Sequence, residues 1–467
     1  MDVQKEVSTR IKLSILAVGL LSFISILTET SMNVTFPTLT KDLNVSLGVV
    51  QWLTTGYLLL TTIIMSTTAY VLKRFRPLKI FIFAVTFCFV GSIICLLAPN
   101  FPVLLIGRLL QAVSAGLSTP LMFDLIFEEV PGTQIGIYTG FASIIISLAP
   151  ALGPTYGGVV SGIWSWRSIF MGIIPLIIIV AILGWTTIRG NVRGVKDVKF
   201  DYLSVTGLAI IFSMILFTFD QAGNHGWISS QFFTWIFITL VLFFIFIWYN
   251  SKTTRQLIDF SILKNSILRL RLFGYFGLQF INIGLSFLLP IFAQNVLNLD
   301  TSHAGIMLLP GSLLGALVGP IAGSIYDNKG PKIPTILSGL LVTAGTALFF
   351  IFSDKLSFIL IIILYSVVRI GFNFGFGTLL SDGSMQVHGR KKSDQNSLFS
   401  MMQQYAGSLG TNVLSVVISA VAITSGTNSN FINTLTGAKI DFIVLTILSL
   451  LILISVIYVA VKYPKKV

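Results

Sequence analysis

The chain is 467 residues long, 54% apolar, 12% aromatic and only 10% charged, with a mean hydropathy of +0.91. A soluble domain carries about a quarter charged residues, so a soluble enzyme, a disordered tail and a disulfide-stapled secreted scaffold are excluded, and the bilayer is the solvent. The net charge of +13 would suggest a nucleic-acid binder in a soluble protein, but here the cations stand between apolar runs and mark topology, so no nucleic-acid partner is expected.

A helix needs about 20 mostly apolar residues to cross the hydrocarbon core. The first such run, 12–35, follows a charged head without a small-residue cleavage site, so it reads as a spanning helix and not as a signal peptide. It carries Glu29 and, one turn on, Asn33. A charge at that depth costs at least about 2.5 kcal/mol on insertion scales. Glu29 is either a carboxylate snorkelling toward the boundary near Pro37 or a proton or cation site on a central cavity. Burial favours the neutral acid and an adjacent cation favours the carboxylate, so in the second reading one residue can trade a proton for a positive charge.

Runs at 49–72 and 80–97 follow, joined by a basic turn with Lys73 and Arg74. Cys88 and Cys95 share one face of the third run, as small hydrophobes do. The fourth run, 103–127, holds Arg108, Gln111 and, toward its inner end, Asp124. Arg108 either anchors to backbone carbonyls of a neighbouring helix or controls a nearby carboxyl. Asp124 lies about 24 Å away along the helix, too far to pair with it, and is either a proton-path residue or an interfacial carboxylate beside Glu128 and Glu129. In the fifth run, 134–160, the stretch Ala149 to Gly158 combines small residues with two prolines. Such a stretch permits close helix approach and a bend, which suits a hinge or seal, or simple packing. The sixth run is 168–188.

A polar stretch, 189–201, precedes runs at 203–219 and 232–249, and a second polar stretch leads to runs at 270–294, 304–326, 333–352, 356–380, 394–423 and 440–461. The reading is an all-α membrane protein of fourteen spans in a six, two, six pattern. An N-terminal six-helix bundle occupies 1–188, a linker with two additional transmembrane helices 189–265, and a C-terminal six-helix bundle 266–467. Arg369 falls near the middle of the twelfth run and is either an anchor or a substrate or coupling residue; Asp382, at its inner end, is, like Asp124, either a proton-path or cavity residue or an interfacial carboxylate. Gln279, Asn282, Asn373, Gln403, Gln404 and Asn412 either join helices or wet a cavity, and Gly311 to Gly319 is a packing stripe.

Twenty-four of the thirty Lys and Arg residues fall on the side that holds both termini, four on the other, and Arg108 and Arg369 fall inside spans. The positive-inside rule then places both termini in the cytoplasm. The halves echo one another: the turn Ala69 to Lys79 after the second span is matched by Gly323 to Lys332 after the tenth, each a small residue followed by a basic turn. Arg108 with Gly116 eight residues on is matched by Arg369 with Gly377. Parallel six-helix halves with a site between them are a transporter architecture. The sequence has no phosphate-cradling glycine loop, no metal-spaced histidines and no Ser/His/Asp arrangement, so hydrolysis and ATP-driven transport are disfavoured; His225, His303 and His388 are expected in loops.

The six-two-six pattern, Arg108-Leu-Leu-Gln111, and Gly153-Pro154-Thr-Tyr-Gly157-Gly158 followed by Trp166-Arg167 together resemble the fourteen-helix drug:proton antiporters of the major facilitator superfamily. The resemblance covers the whole chain. It implies a multi-pass protein of the bacterial plasma membrane, acting as a monomer and without a cofactor, that uses the proton gradient to export small-molecule drugs and dyes, often cationic. It also implies that Arg108 supports proton coupling, that Gly153, Pro154, Gly157 and Gly158 form the antiporter motif, and that Lys73, Arg74, Asp327 and Gly330 serve inner-loop gating. Two departures stand out. The family's first-span acid appears one position away, in Thr28-Glu29-Thr30, and Ala69 and Lys73 replace the inner loop's usual Gly and Asp. Rival readings are export of an endogenous lipid or metabolite on the same fold, and a non-transporting scaffold or sensor.

Overall fold

A computed structural model of the chain describes residues 7–131, 134–189, 201–252, 260–387, 391–426 and 429–463. Of the expected inner charges, Lys5, Arg193, Lys196, Lys199, Arg255, Arg390, Lys465 and Lys466 lie outside the described residues, as do His388 and the side chains of Lys73, Lys391 and Lys392.

The long helices are α1 (Thr9–Ser31), α2 (Trp52–Arg74), α3 (Pro77–Leu97), α4 (Phe101–Glu129), α5 (Ile135–Ile163), α6 (Arg167–Thr187) and α7 (Tyr202–His225). They continue with α8 (Ser230–Lys252), α9 (Ser266–Asn295), α10 (Leu309–Lys329), α11 (Lys332–Ile351), α12 (Phe358–Ser384), α13 (Lys391–Ser425) and α14 (Asn430–Lys462). Among the described residues, thirteen helical segments are long and apolar enough to cross a membrane. The long helix outside that set, α5, stands where the fifth span is expected and is 29 residues long.

Helix starts are written locally. Asn100 accepts from the Val103 N–H at 3.1 Å to cap α4, the Asp201 carboxylate accepts from the Ser204 N–H at 3.1 Å to cap α7, and Asn265 takes two N–H groups at the start of α9. Pro77 and Pro102 occupy first-turn positions that need no donor. Gly330 ends α10 with φ +74, a conformation that favours glycine.

Several helices outrun the apolar stretches that announce them. α14 begins ten residues before its expected span, so Lys439 is helical and pairs with Asp354 at 2.6 Å. α9 begins at Ser266, which places Arg269 and Arg271 in the helix and not in a loop. Of the histidines expected in loops, His225 is the last residue of α7, and His303 lies in a short helix, Thr301–Ile306, that precedes α10.

Two bundles result. α1 packs on α4, α5 and α6, while α3 packs on α4 and α6; in the second bundle α9 packs on α12, α13 and α14, and α10 and α11 pack on α12. The bundles meet where α2 lies against α13, and where α5 lies against Thr301–Ile306 and α10. α7 packs on α13 and α2, and α8 packs on α7. Phe237, Phe244 and Trp248 of α8 are exposed, as lipid-facing side chains are. Below, the face of the bundle that carries both termini is called the terminal face and the opposite one the far face.

Candidate functional site

In α1 the hydroxyls of Thr28, Thr30 and Ser31 donate back to the carbonyls of Ile24, Ile26 and Leu27 at 2.6, 3.1 and 2.5 Å. Their polarity is thus absorbed within the helix, and the chain passes into a 3-10 turn, Met32–Thr35. Glu29 is the exception. Its side chain is buried in the bundle interior and does not snorkel, and Arg108 is the charged side chain that acts on it electrostatically. Asn33 sits in the 3-10 turn and accepts from the Thr54 hydroxyl of α2 at 2.7 Å.

Arg108 is fully buried. Its Nη1 donates to the Gln111 Oε1 at 2.9 Å, Gln111 Nε2 donates to the Ser92 hydroxyl at 2.9 Å, and Ser92 donates to the Cys88 carbonyl at 2.7 Å. The guanidinium lies 4.4 Å over the Tyr57 ring, whose hydroxyl donates to the Ser25 carbonyl at 3.0 Å. Among the described residues its Nε and Nη2 have no hydrogen-bond partner. The result is a guanidinium clamped on one edge by α3 and α4, with its other donors unoccupied, beside a buried carboxyl on α1.

The second bundle repeats the plan with different chemistry. Arg369 of α12 is buried, and its Nη1 donates to the Asn282 Oδ1 of α9. The amide of Asn282 is oriented by its own donation to Gln279 Oε1 at 3.4 Å. Arg369 lies 5.3 Å from the Phe372 ring centroid, and its Nε has no hydrogen-bond partner among the described residues. The glycines of α5 lie elsewhere, Gly153 and Gly157 against α1 and Gly158 against the second bundle. A Cβ on Gly153 or Gly157 would overlap Thr30 or the Ser31 carbonyl of α1, and one on Gly158 would stand 2.6 Å from the Thr301 carbonyl. Ser302 donates to the Gly158 carbonyl at 3.2 Å, and Gln294 of α9 donates to the Val34 carbonyl at 2.7 Å. Both bundles therefore close on α5 at the far face. Just beyond, Trp166 donates to Asp42 at 3.2 Å, and Arg167 donates to the Ala98 carbonyl at 2.8 Å while covering the Trp166 ring.

Other candidates fall away from these sites. Asp124 is half-buried toward the terminal end of α4. Arg74 and Asp327 are both exposed at the terminal face. Asp382 is buried and paired with Arg271 at 2.7 Å, which removes both from the free charges and ties α12 to α9. Two acids were missed in sequence, one half-buried and one buried. Asp220, at the far end of α7, accepts from Trp52 at 2.9 Å, Gln51 at 3.5 Å and Asn412 at 2.9 Å, linking α7 to α2 and α13. Asp441 in α14 is fully buried, and among the described residues neither of its oxygens has a hydrogen-bond partner. Asp220 falls just past the run at 203–219, where a charge reads as the start of a loop, and Asp441 is the second residue of the run at 440–461.

The profile of the Major Facilitator Superfamily matches residues 18–411. The chain is 32% identical over 400 residues to the lincomycin resistance protein LmrB of Listeria innocua, covering 85% of this chain and 84% of that protein. It is 27% identical over 405 residues to a multidrug resistance protein B homolog of Mycobacterium tuberculosis, covering 83% and 73%. Among solved structures, a bacterial homolog of the human lysosomal transporter Spinster superimposes with a TM-score of 0.69 over 96% of this chain and 97% of that one, at 15% identity.

Proposed function

The chain belongs to the Major Facilitator Superfamily, and from that premise we propose that it is a proton-coupled antiporter exporting amphipathic, often cationic drugs and dyes. It is a transporter and not an enzyme, and a multi-pass bacterial membrane protein. The proposal adds fourteen spans, both termini in the cytoplasm, a monomer as the working unit, and the proton gradient as energy source.

The observation that carries this reading is the Glu29–Arg108 pair. A carboxyl in the bundle interior exchanges with water only through a cavity that opens, so its proton moves when the transporter changes face. Arg108 stabilises the carboxylate left when the proton leaves, and an arriving cation competes for the same charge. Proton and cation then bind in turn, as antiport requires. The glycine-lined faces of α5 supply the far-face closure, because backbone-to-backbone contact there is broken as a unit when the bundles rock apart. The relatives' resistance to lincomycin and to multiple drugs supports small amphipathic substrates for this chain.

Inside-out vesicles with an acidified lumen test the reading. Ethidium should accumulate in the lumen, stop on addition of a protonophore, and release lumenal protons when added to lightly buffered vesicles. Accumulation that ignores the collapse of the gradient excludes antiport.

A further inference from the structure

Arg369 stands about 16 Å along α12 from its far-face end at 1.5 Å per residue, near the middle of the membrane's thickness. A guanidinium at that depth ordinarily faces a partner of opposite charge or a substrate path. Its partners are neutral: the Asn282 amide oxygen, the Phe372 ring and no other hydrogen-bonded side chain among the described residues, with Nε unoccupied. The buried salt bridge of the same bundle, Arg271 with Asp382, shows how this protein neutralises a structural arginine. The other interior arginine, Arg108, has Glu29 on the first helix of its bundle. The equivalent helix, α9, offers Arg369 an amide.

The amide is held in one orientation, its oxygen toward Arg369 and its nitrogen toward Gln279. Gly315 of α10 approaches so closely that a Cβ there would stand 3.0 Å from the Arg369 carbonyl, which fixes the backbone behind the guanidinium. The geometry is a preorganised cation with an unoccupied, buried donor and, among the described residues, no ion-paired carboxylate.

We propose that Arg369 is an anion subsite for the transported molecule, which receives the carboxylate of amphoteric substrates while molecules bearing only positive charge pass without using it. The inference rests on the exporter reading above and narrows its substrate class: carboxylate-bearing amphiphiles form a set distinct from plain cations. A carboxylate meets the guanidinium through Nε and one Nη in the bidentate geometry such pairs adopt.

The test compares ethidium, the amphoteric fluoroquinolone norfloxacin, and norfloxacin ethyl ester, in which the carboxylate is masked, in inside-out vesicles. Arg369→Gln should lower norfloxacin transport at least tenfold and leave ethidium and the ester within twofold, with partial recovery of norfloxacin in Arg369→Lys. Asn282→Asp supplies an internal carboxylate in nearly the same volume, so it should selectively lose norfloxacin even if Arg369→Gln folds poorly. Loss of all three compounds together in both variants assigns Arg369 to anchoring and overturns the proposal, as does norfloxacin transport within twofold of wild type in Asn282→Asp, or wild-type vesicles that carry ethidium but not norfloxacin. Vesicles that move ethidium without regard to the gradient overturn the antiport reading instead, and the two failures are told apart by that compound alone.

Discussion

The two bundles place an arginine of their fourth helix against the first helix of the same bundle, and they differ in what it meets. Arg108 has Glu29 within electrostatic reach and a neutral chain through Gln111 and Ser92 behind it. Arg369 has Asn282 in front and a phenylalanine ring beside it. One carboxylate separates a site whose charge is balanced within the chain from one whose balance must come from outside. In a low-dielectric interior that difference outweighs shape, because an uncompensated charge costs several kcal/mol where a mispacked methyl costs about one. A duplicated scaffold can thus hold a proton-handling site in one half and a ligand-handling site in the other.

The most forceful way to break the contrast is to make the N-terminal site a copy of its counterpart. Glu29→Gln keeps volume and hydrogen-bonding capacity and removes the exchangeable proton. Proton-driven ethidium accumulation should fall to the background of vesicles without the protein, while the purified variant unfolds within a few degrees of wild type. Substantial drug-driven proton release from that variant would move the coupling role to another acid, with half-buried Asp220 and buried Asp441 as the alternatives.

A second variant asks whether a paired arginine of the C-terminal bundle is structural, as its geometry says. Asp382→Asn leaves Arg271 buried without its counter-charge, and breaking a buried pair from one side costs about 3 to 5 kcal/mol. The thermal midpoint in detergent should drop by many degrees, and the double variant Arg271→Met with Asp382→Leu should recover much of it. A midpoint unchanged in Asp382→Asn would mean that water reaches the pair, contrary to its burial.

How much of this was legible in the chain follows from range. Apolar runs announce helices because the bilayer leaves the backbone no other way to satisfy its hydrogen bonds, and the Arg108 to Gln111 contact is one turn long. The expectation that Glu29 faces inward could not be separated from snorkelling, because a helix position says nothing of the rotation its neighbours impose. Arg271 and Asp382 are separated by 111 residues in sequence and Arg369 and Asn282 by 87, so no local pattern pairs them. Asp220 was lost for the opposite reason: reading by hydropathy ends a span at a charge, whereas backbone bonding carries α7 on to His225. Asp441 stands inside its expected span, and nothing local tells which face of α14 its neighbours bury.

The smallest expected effect concerns the spacing that first suggested two halves, a glycine eight residues after each interior arginine. The structure separates the two positions. A Cβ on Gly116 would stand 2.7 Å from Ile64 of α2 and 3.2 Å from the Thr61 carbonyl, whereas nothing lies within 4 Å of one on Gly377. Gly116→Ala therefore gains alanine's helix preference but has to push α2 outward, and overpacking of that kind costs about 1 to 3 kcal/mol. Gly377→Ala gains the preference unopposed, up to about 1 kcal/mol. Thermal unfolding should move in opposite directions for the two variants. Shifts of the same sign would make the spacing a shared packing device, while opposite signs would leave the arginines, and not the glycines, as what the two bundles have in common.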